Sequence, residues 1–204
     1  MFIILRLIIG FIFLLFMVII IKKIKYKYKF KGYIFSAVLS IILITVIAFL
    51  PFENLFITFD SPEAAYNYVN FGKSNIELVV SGKNCDFIID DKKTSYSYLI
   101  VPKCKEGWKI GIGVNTKMIM SKIYNDIVIN VFQYKNTNDY FIVLLNTKGE
   151  SINLKDSNNS VFYSLEKSNE QLNETFITYF INVINLDSEY WLSIDGERIP
   201  IIIS

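Results

Sequence analysis

Cys85 and Cys104, with Asp86, Asp90 and Asp91, are the residues whose type and spacing could do chemistry. No histidine occurs in the 204 residues. That removes Ser-His and Cys-His nucleophile systems and the commonest general base. Carboxylates alone can hydrolyse a glycosidic bond, but such a pair is not recognisable from spacing. Asp90-Asp91 also begins an Asp-Asp-Lys-Lys run that reads as a turn, where solvated acids are routine. Two thiols without histidine make a poor metal site, so no metal or cofactor is expected. Gly111-x-Gly113 sits in an alternating run rather than between strand and helix, which argues against a phosphate loop.

The cysteines flank the Asp91–Ser95 turn. A hairpin centred there sets position 85 against 104 and 90 against 99, so the thiols meet at its base. Outside the cytoplasm a disulfide is allowed, and closing a loop of this size contributes about 3 kcal/mol. Two reduced core thiols are the alternative.

The elements that must position these residues follow a sharp change along the chain. Mean hydropathy is +0.38, and the apolar residues concentrate in Phe2–Ile21 and Tyr33–Phe52. Twenty helical residues cover about 30 Å, the hydrocarbon thickness of a bilayer. Both stretches therefore predict transmembrane helices, the second running over Ile34–Leu50 and ended by Pro51. Neither is flanked by a cleavage site of signal-peptide type. Between them stand Lys22, Lys23, Lys25, Lys27, Lys29 and Lys31, a positive-inside signal that puts the loop 22–33 in the cytoplasm and both termini outside. About ten inner residues cannot fold as a signalling domain. Neither span carries Asp, Glu, His, Asn or Gln, so a transport path is not indicated. Gly10 and the Ser36-x-x-x-Ser40 spacing could let the helices approach closely.

Charge divides in the same way. Residues up to Phe52 carry +7, and the remainder carries −5. The pI of 8.3 thus belongs to the anchor, and the acidic remainder gives no footprint for nucleic acid.

About 150 residues remain beyond the anchor, enough for a core. Asp60-Ser61-Pro62-Glu63 starts a helix, with Ser61 as cap and Gly72 as stop. From Asn75 the period changes to two, as in strands with one buried face. Strands are predicted at Ile76–Val80, Phe87–Ile89, Tyr96–Val101, Trp108–Val114, Ile127–Tyr134, Tyr140–Leu145, Val161–Leu165, Ile177–Val183 and Tyr190–Ile194. Asp195-Gly196 then turns into Arg198–Ile203, an edge strand because Pro200 cannot donate a ladder bond. The expected fold is a two-helix transmembrane hairpin (1–52) and an extracytoplasmic, mainly β region: helix plus antiparallel meander (53–115), then a β-sandwich-like unit (116–204).

Tyr66, Tyr68, Tyr96, Tyr98, Tyr134, Tyr140, Tyr163, Tyr179 and Tyr190 could build a binding face. Tyrosine also fills strand faces and cores, and that reading accounts for most of them. Asn158-Asn159-Ser160 and Asn173-Glu174-Thr175 match the glycosylation pattern.

Phe59-Asp60-Ser61-Pro62-Glu63-Ala64-Ala65-Tyr66, then Ile100-Val101-Pro102-Lys103 and Gly107-Trp108-Lys109-Ile110, resemble uncharacterised two-helix membrane-anchored proteins of low-GC Gram-positive bacteria. The likeness covers about residues 59–110. It implies an envelope location and no known activity. The combined expectation is a non-enzymatic module in the cell membrane, in contact with the bilayer and with a protein or cell-wall partner. The alternatives are an accessory subunit that associates through its helices, and a carboxylate-dependent envelope hydrolase acting through Asp86, Asp90 and Asp91.

Overall fold

A computed structural model of the chain describes residues 2–23, 29–49, 51–70, 74–92, 95–111, 116–169 and 174–203. Two apolar helices lead, α1 (Phe2–Lys23) and α2 (Lys29–Phe49). They touch along a narrow seam that buries Arg6, Met17 and Ser36, while Leu7, Phe11, Leu15, Phe35, Val38 and Ile41 stay exposed. Ser36 thus sits where a small residue lets two helices close. Among the described residues one helix, through Phe30–Ile47, is long and apolar enough to cross a membrane, and α1 contributes the shorter run Arg6–Ile20. The lysines are drawn into helix rather than loop: Lys22 and Lys23 close α1, Lys29 and Lys31 open α2, and Lys25 and Lys27 lie outside the described residues. Lysine is a good helix former, and at the end of α1 it complements the dipole.

A short 3-10 turn, Phe52–Leu55, follows α2 and buries Glu53. The Arg6 guanidinium donates to Glu53 through Nε (2.8 Å to Oε1) and Nη2 (3.0 Å to Oε2). Its remaining nitrogen bonds the Ile47 carbonyl, and its Cζ lies 5.3 Å from the Phe52 ring centroid. The two-point geometry of this buried pair fixes the start of α1 to the chain beyond α2.

Next comes α3 (Pro62–Asn70), where Ser61 Oγ accepts the Ala64 N–H at 3.1 Å, the expected cap. Gly72, its expected stop, lies outside the described residues. Three antiparallel sheets follow. The first has the order β1 (Ile76–Ser81), β2 (Cys85–Lys92), β3 (Ser95–Cys104), β4 (Gly107–Trp108). The second comprises β5 (Thr116–Tyr124), β6 (Ile127–Tyr134), β7 (Asp139–Asn146), β9 (Tyr163–Asn169) and β10 (Glu174–Ile184), in the order β5-β6-β7-β10-β9. The third joins β8 (Leu154–Asp156), β11 (Trp191–Ile194) and β12 (Glu197–Pro200), with β11 between the others.

These elements stack as layers around the second sheet. Ile129, Val131, Ile142, Leu144, Ile181 and Val183 point one way, onto Tyr190, Leu192, Ile199 and Ile201 of the third sheet and its flanks. Tyr134, Phe141, Val143 and Phe180 point the other way, onto Val80, Phe87 and Ile100 of the first sheet. The opposite face of the first sheet, through Ile88 and Val101, is closed by Ala65 and Tyr66 of α3. Regions 53–115 and 116–204 therefore share a hydrophobic cluster.

Several expectations change. The hairpin register sets Cys85 against Pro102 and Asp90 against Ser97, not 85 against 104. The strand continues to Lys92 because Asp90 is buried and bonded inside it, instead of solvated at a turn. The cysteines do not bridge: Cys85 is buried and free, and Cys104 is exposed and free. The strand expected over Trp108–Val114 shrinks to Gly107–Trp108, since Asn54 takes the Ile110 N–H (2.7 Å) and donates to the Ile110 carbonyl (3.0 Å) in place of a neighbouring strand. Residues 112–115 lie outside the described set. Strand β5 was not legible because it is a largely exposed edge without alternation. The Asp195-Gly196 turn has both residues at positive φ, 50° and 92°, as a tight hairpin needs, and Pro200 lies on an edge strand.

The segments that carried the resemblance meet in space. Phe59 and Trp108 form a β-bridge, and Lys109 Nζ donates to the Ile57 carbonyl and Thr58 Oγ1. Gly107 has φ +136°, and a Cβ there would lie 2.3 Å from the Phe59 carbonyl oxygen, so only glycine fits.

Removing one partner from the Arg6–Glu53 pair leaves a buried charge unmatched. Glu53→Ala is expected to lower unfolding free energy by about 3–5 kcal/mol, with Arg6→Met/Glu53→Leu regaining most of it. Denaturant unfolding of the full chain in detergent checks both, and a single variant no less stable than the double would refute the clamp.

Candidate functional site

The carboxylates singled out for chemistry are held by their neighbours. Asp86, almost fully buried, accepts the Trp108 indole N–H at 2.5 Å and pairs with Lys103 Nζ at 2.7 Å. Asp90 accepts the Tyr66 hydroxyl (2.8 Å) and the Asn75 N–H (2.6 Å) and pairs with Lys92. Asp91 pairs with Lys167. Asp86 and Asp90 sit on the same strand, β2, but each turns to its own partners. Two further buried acids had no sequence signal. Asp139 collects the N–H groups of Lys83 (2.8 Å) and Asn84 (2.6 Å) and the Asn84 side-chain amide (2.8 Å), tying the β1–β2 turn to the second sheet. Asp156 takes the Ser160 N–H and hydroxyl, both at 2.7 Å, and the Tyr190 hydroxyl at 2.9 Å. Aspartate bonded to backbone two to four residues away is a turn-forming device.

Burial works against ionising Asp90, but the bonds from Lys92, Tyr66 and Asn75 prevail and hold its pKa below the ordinary 3.8. Burial and then the Asp90 carboxylate push the Tyr66 phenol up to about 12, against a lowering bond from Ser97. Burial chiefly, then the Asp139 and Asp86 carboxylates, pushes the Cys85 thiol well above its usual range. A buried thiol of this kind is a poor nucleophile. No group of three or more acids or cysteines placed to hold a metal ion occurs among the described residues.

The tyrosines divide. Tyr66, Tyr134, Tyr179 and Tyr190 are core residues, and Tyr163 is exposed on β9. Tyr96 and Tyr98 belong to neither group. They point from β3 toward the second sheet, at the mouth of the space between the two sheets. A cleft of about 240 Å³ opens there. Ser95, Tyr96 and Tyr98 form one wall, and Leu145, Thr147, Phe176 and Thr178 form the other. The described lining residues are all uncharged.

Local chemistry fixes the aromatic wall. Tyr98 stacks on Phe87 at 5.5 Å and meets Phe180 edge-on at 6.1 Å. Tyr96 meets Phe180 edge-on at 6.4 Å, donates its hydroxyl to the Glu166 carbonyl (3.3 Å) and lies 5.0 Å from the Lys167 ammonium. Burial, helped by Tyr96, pushes the Tyr98 phenol up to about 12, so it remains a donor at ordinary pH. Thr178 lies on the same face of β10 as Phe176 and Phe180 and is fully buried. Its hydroxyl has no hydrogen-bond partner among the described residues, a deficit of about 1–3 kcal/mol. The sequence carried no signal for Thr178, since one polar residue in an alternating strand is read as solvent-facing.

A second cavity, about 260 Å³, is bordered by Asp126, Glu150, Asp195 and Glu197. Asp126 pairs with Lys148 at 2.6 Å, Glu197 bonds Tyr124, and Asp195 accepts the Asn153 N–H at 2.8 Å. Here three of the four acids have local structural partners.

No protein-family model, curated protein or solved structure matches the chain.

Two measurements check this electrostatic picture. In native full-length protein, one thiol per chain is expected to react with maleimide, Cys104, and both after denaturation, without prior reduction; equal reaction of Cys85 would contradict its burial. Because the Asp90 pKa is lowered on folding, its contribution is present above the unfolded value and is lost as pH falls through the folded one. Wild type should therefore lose stability below about pH 4, and Asp90→Asn should be less stable at neutral pH with a flatter acid limb. Parallel pH profiles for the two would rule out this linkage.

Proposed function

We propose that the chain is a two-span membrane protein presenting a non-enzymatic binding module outside the cytoplasm, with the cleft between the first and second sheets as its binding surface. The observation that carries this reading is the union of an apolar helix pair with a β unit through the Arg6–Glu53 ion pair. Leu7, Phe11, Leu15, Val38 and Ile41 form apolar surface that no other part of the described chain covers. Surface of that extent suits lipid. The lysines stand at the end of the helix pair remote from Glu53, and placing them in the cytoplasm puts the β unit on the other side. Leu55 and Phe56, exposed at 78% and 83%, emerge directly beyond α2, at headgroup level in this arrangement.

Binding rather than catalysis is favoured by how the acids are used. Asp86, Asp90, Asp139 and Asp156 each hold a turn, a helix or a strand in place. The cleft combines aromatic walls with a few polar groups, the usual composition of a recognition surface.

Cys104 is a built-in reporter for the topology. In intact cells a membrane-impermeant maleimide is expected to label it, whereas in a Cys104→Ser background a cysteine at Lys25 should react only after lysis. The reverse pattern would overturn the orientation. A photo-crosslinker at Thr147, on the cleft rim, should give an envelope adduct that the same group at Ser157 does not; equal yields from both positions would remove the cleft from the binding surface.

A further inference from the structure

We infer that the connector between α2 and α3 is a rigid mount seated in lipid, with Leu55 and Phe56 inserted where the hydrocarbon of the bilayer gives way to its headgroups. The inference rests on the membrane-spanning part of the proposed function and adds a lipid-contact surface beyond the helices. Three observations lead to it. First, the connector is bonded to the β unit at three points. Asn54 exchanges two hydrogen bonds with the Ile110 backbone, at 2.7 and 3.0 Å. Lys109 Nζ donates to the Ile57 carbonyl at 2.9 Å and to Thr58 Oγ1 at 2.7 Å. Phe59 and Trp108 exchange backbone N–H···O bonds of 2.9 Å in both directions. A segment whose backbone groups are paired in this way belongs to the fold and is not a slack tether.

Second, its outward face is apolar. Within residues 51–59 only Leu55 and Phe56 are exposed. Apolar residues scattered singly over a surface are ordinary, but an adjacent large pair in a fixed segment forfeits burial on both side chains. Third, the pair has a defined depth. The Arg6 guanidinium bonds the Ile47 carbonyl, in the last turn of α2, as well as the Glu53 carboxylate. Glu53 is thereby held against the end of the apolar run that closes at Ile47. Leu55 follows two residues later, at most about 7 Å further along the chain. Leucine and phenylalanine are among the residues that interfacial segments bury about 5–10 Å into the headgroup boundary. A protein partner would have to reach the pair inside that same zone, which lipid fills unless something displaces it.

The test uses the unaltered full chain in vesicles of phosphatidylcholine with a minor share of phosphatidylglycerol. In one preparation a lipid carries a diazirine at the headgroup end of its acyl chain, and in a second the diazirine stands at the methyl end. After irradiation the adducts are mapped to residues by mass spectrometry. Val38 and Ile41, exposed on α2, are the reference for hydrocarbon depth. Ile123 and Val161, exposed at 72% and 69%, are the reference for apolar surface outside the connector.

The headgroup-end probe is expected to label Leu55 and Phe56 severalfold more than Ile123 and Val161. Moving the diazirine to the methyl end should lower labelling at positions 55 and 56 severalfold and raise it at Val38 and Ile41. Adducts on α2 with none at 55 and 56, or equal labelling of Ile123 and Val161, would overturn the inference and leave the membrane anchor standing. Absence of adducts on α2 as well would remove the anchor and the inference together. A second copy of the chain is the rival occupant. In a Cys104→Ser background, with Cys85 buried, a Phe56→Cys chain diluted in lipid should stay monomeric under oxidation. A disulfide-linked dimer would give the pair to a second copy and overturn the lipid contact.

Discussion

The second sheet has to be covered twice, and the layout of the β region follows from that. Strands β6, β7 and β10 carry large apolar side chains on both faces, with Ile142 and Leu144 on one side of β7 and Phe141 and Val143 on the other. Antiparallel sheets commonly leave one face to water, and this one does not. Each such side chain gains about 1.5–3 kcal/mol by burial, so an uncovered face would be a large deficit. The third sheet covers one side and the first sheet the other. The first sheet then needs α3 to close its own outer face. A stack built in this way has two kinds of weak point: the turns that must hold layers in register, and the margins where one layer is smaller than the next.

The buried aspartates deal with the turns. Asp139 begins a strand of the second sheet yet collects amide groups from the turn between the first two strands of the first sheet. Asp90 joins the first sheet to α3 through the Tyr66 hydroxyl. Such carboxylates do in the interior what ladder bonds do within a sheet: they make one layer's position depend on another's. Their burial, and the lowered pKa of Asp90, resemble features of catalytic acids, and it is the identity of their partners, amide and hydroxyl donors of the fold itself, that tells the two uses apart. The margin gives the cleft. There Ser95, Tyr96 and Tyr98 of the first sheet and Leu145, Thr147, Phe176 and Thr178 of the second border open space.

What was legible in the sequence was local. The apolar helices, the Ser61 cap, the alternating runs of β1 and β10, the strand runs of β6 and β7, the Asp195-Gly196 hairpin and the edge proline depend on neighbours a few residues away, and all appear in the fold. What failed depended on distant contacts. The β2–β3 register slipped by two because Asp90-Asp91 reads as a turn until Tyr66 and Asn75 are seen to bury it. The strand beyond Trp108 was interrupted by Asn54, 56 residues earlier. β5 was invisible because an exposed edge strand need not alternate. Of the site, Tyr96 and Tyr98 could be named among nine tyrosines, but nothing in the sequence separated them from the four that fill the core.

The Arg6–Glu53 pair also sets an order of events. Its partners stand 47 residues apart, so when Arg6 leaves the ribosome the acid that will neutralise it has yet to be translated. Until α2 and the turn after it have emerged, the start of α1 carries a solvated cation and nothing holds it in place. The first helix made is therefore the last to be locked, and its final seating waits on a residue at the threshold of the β region.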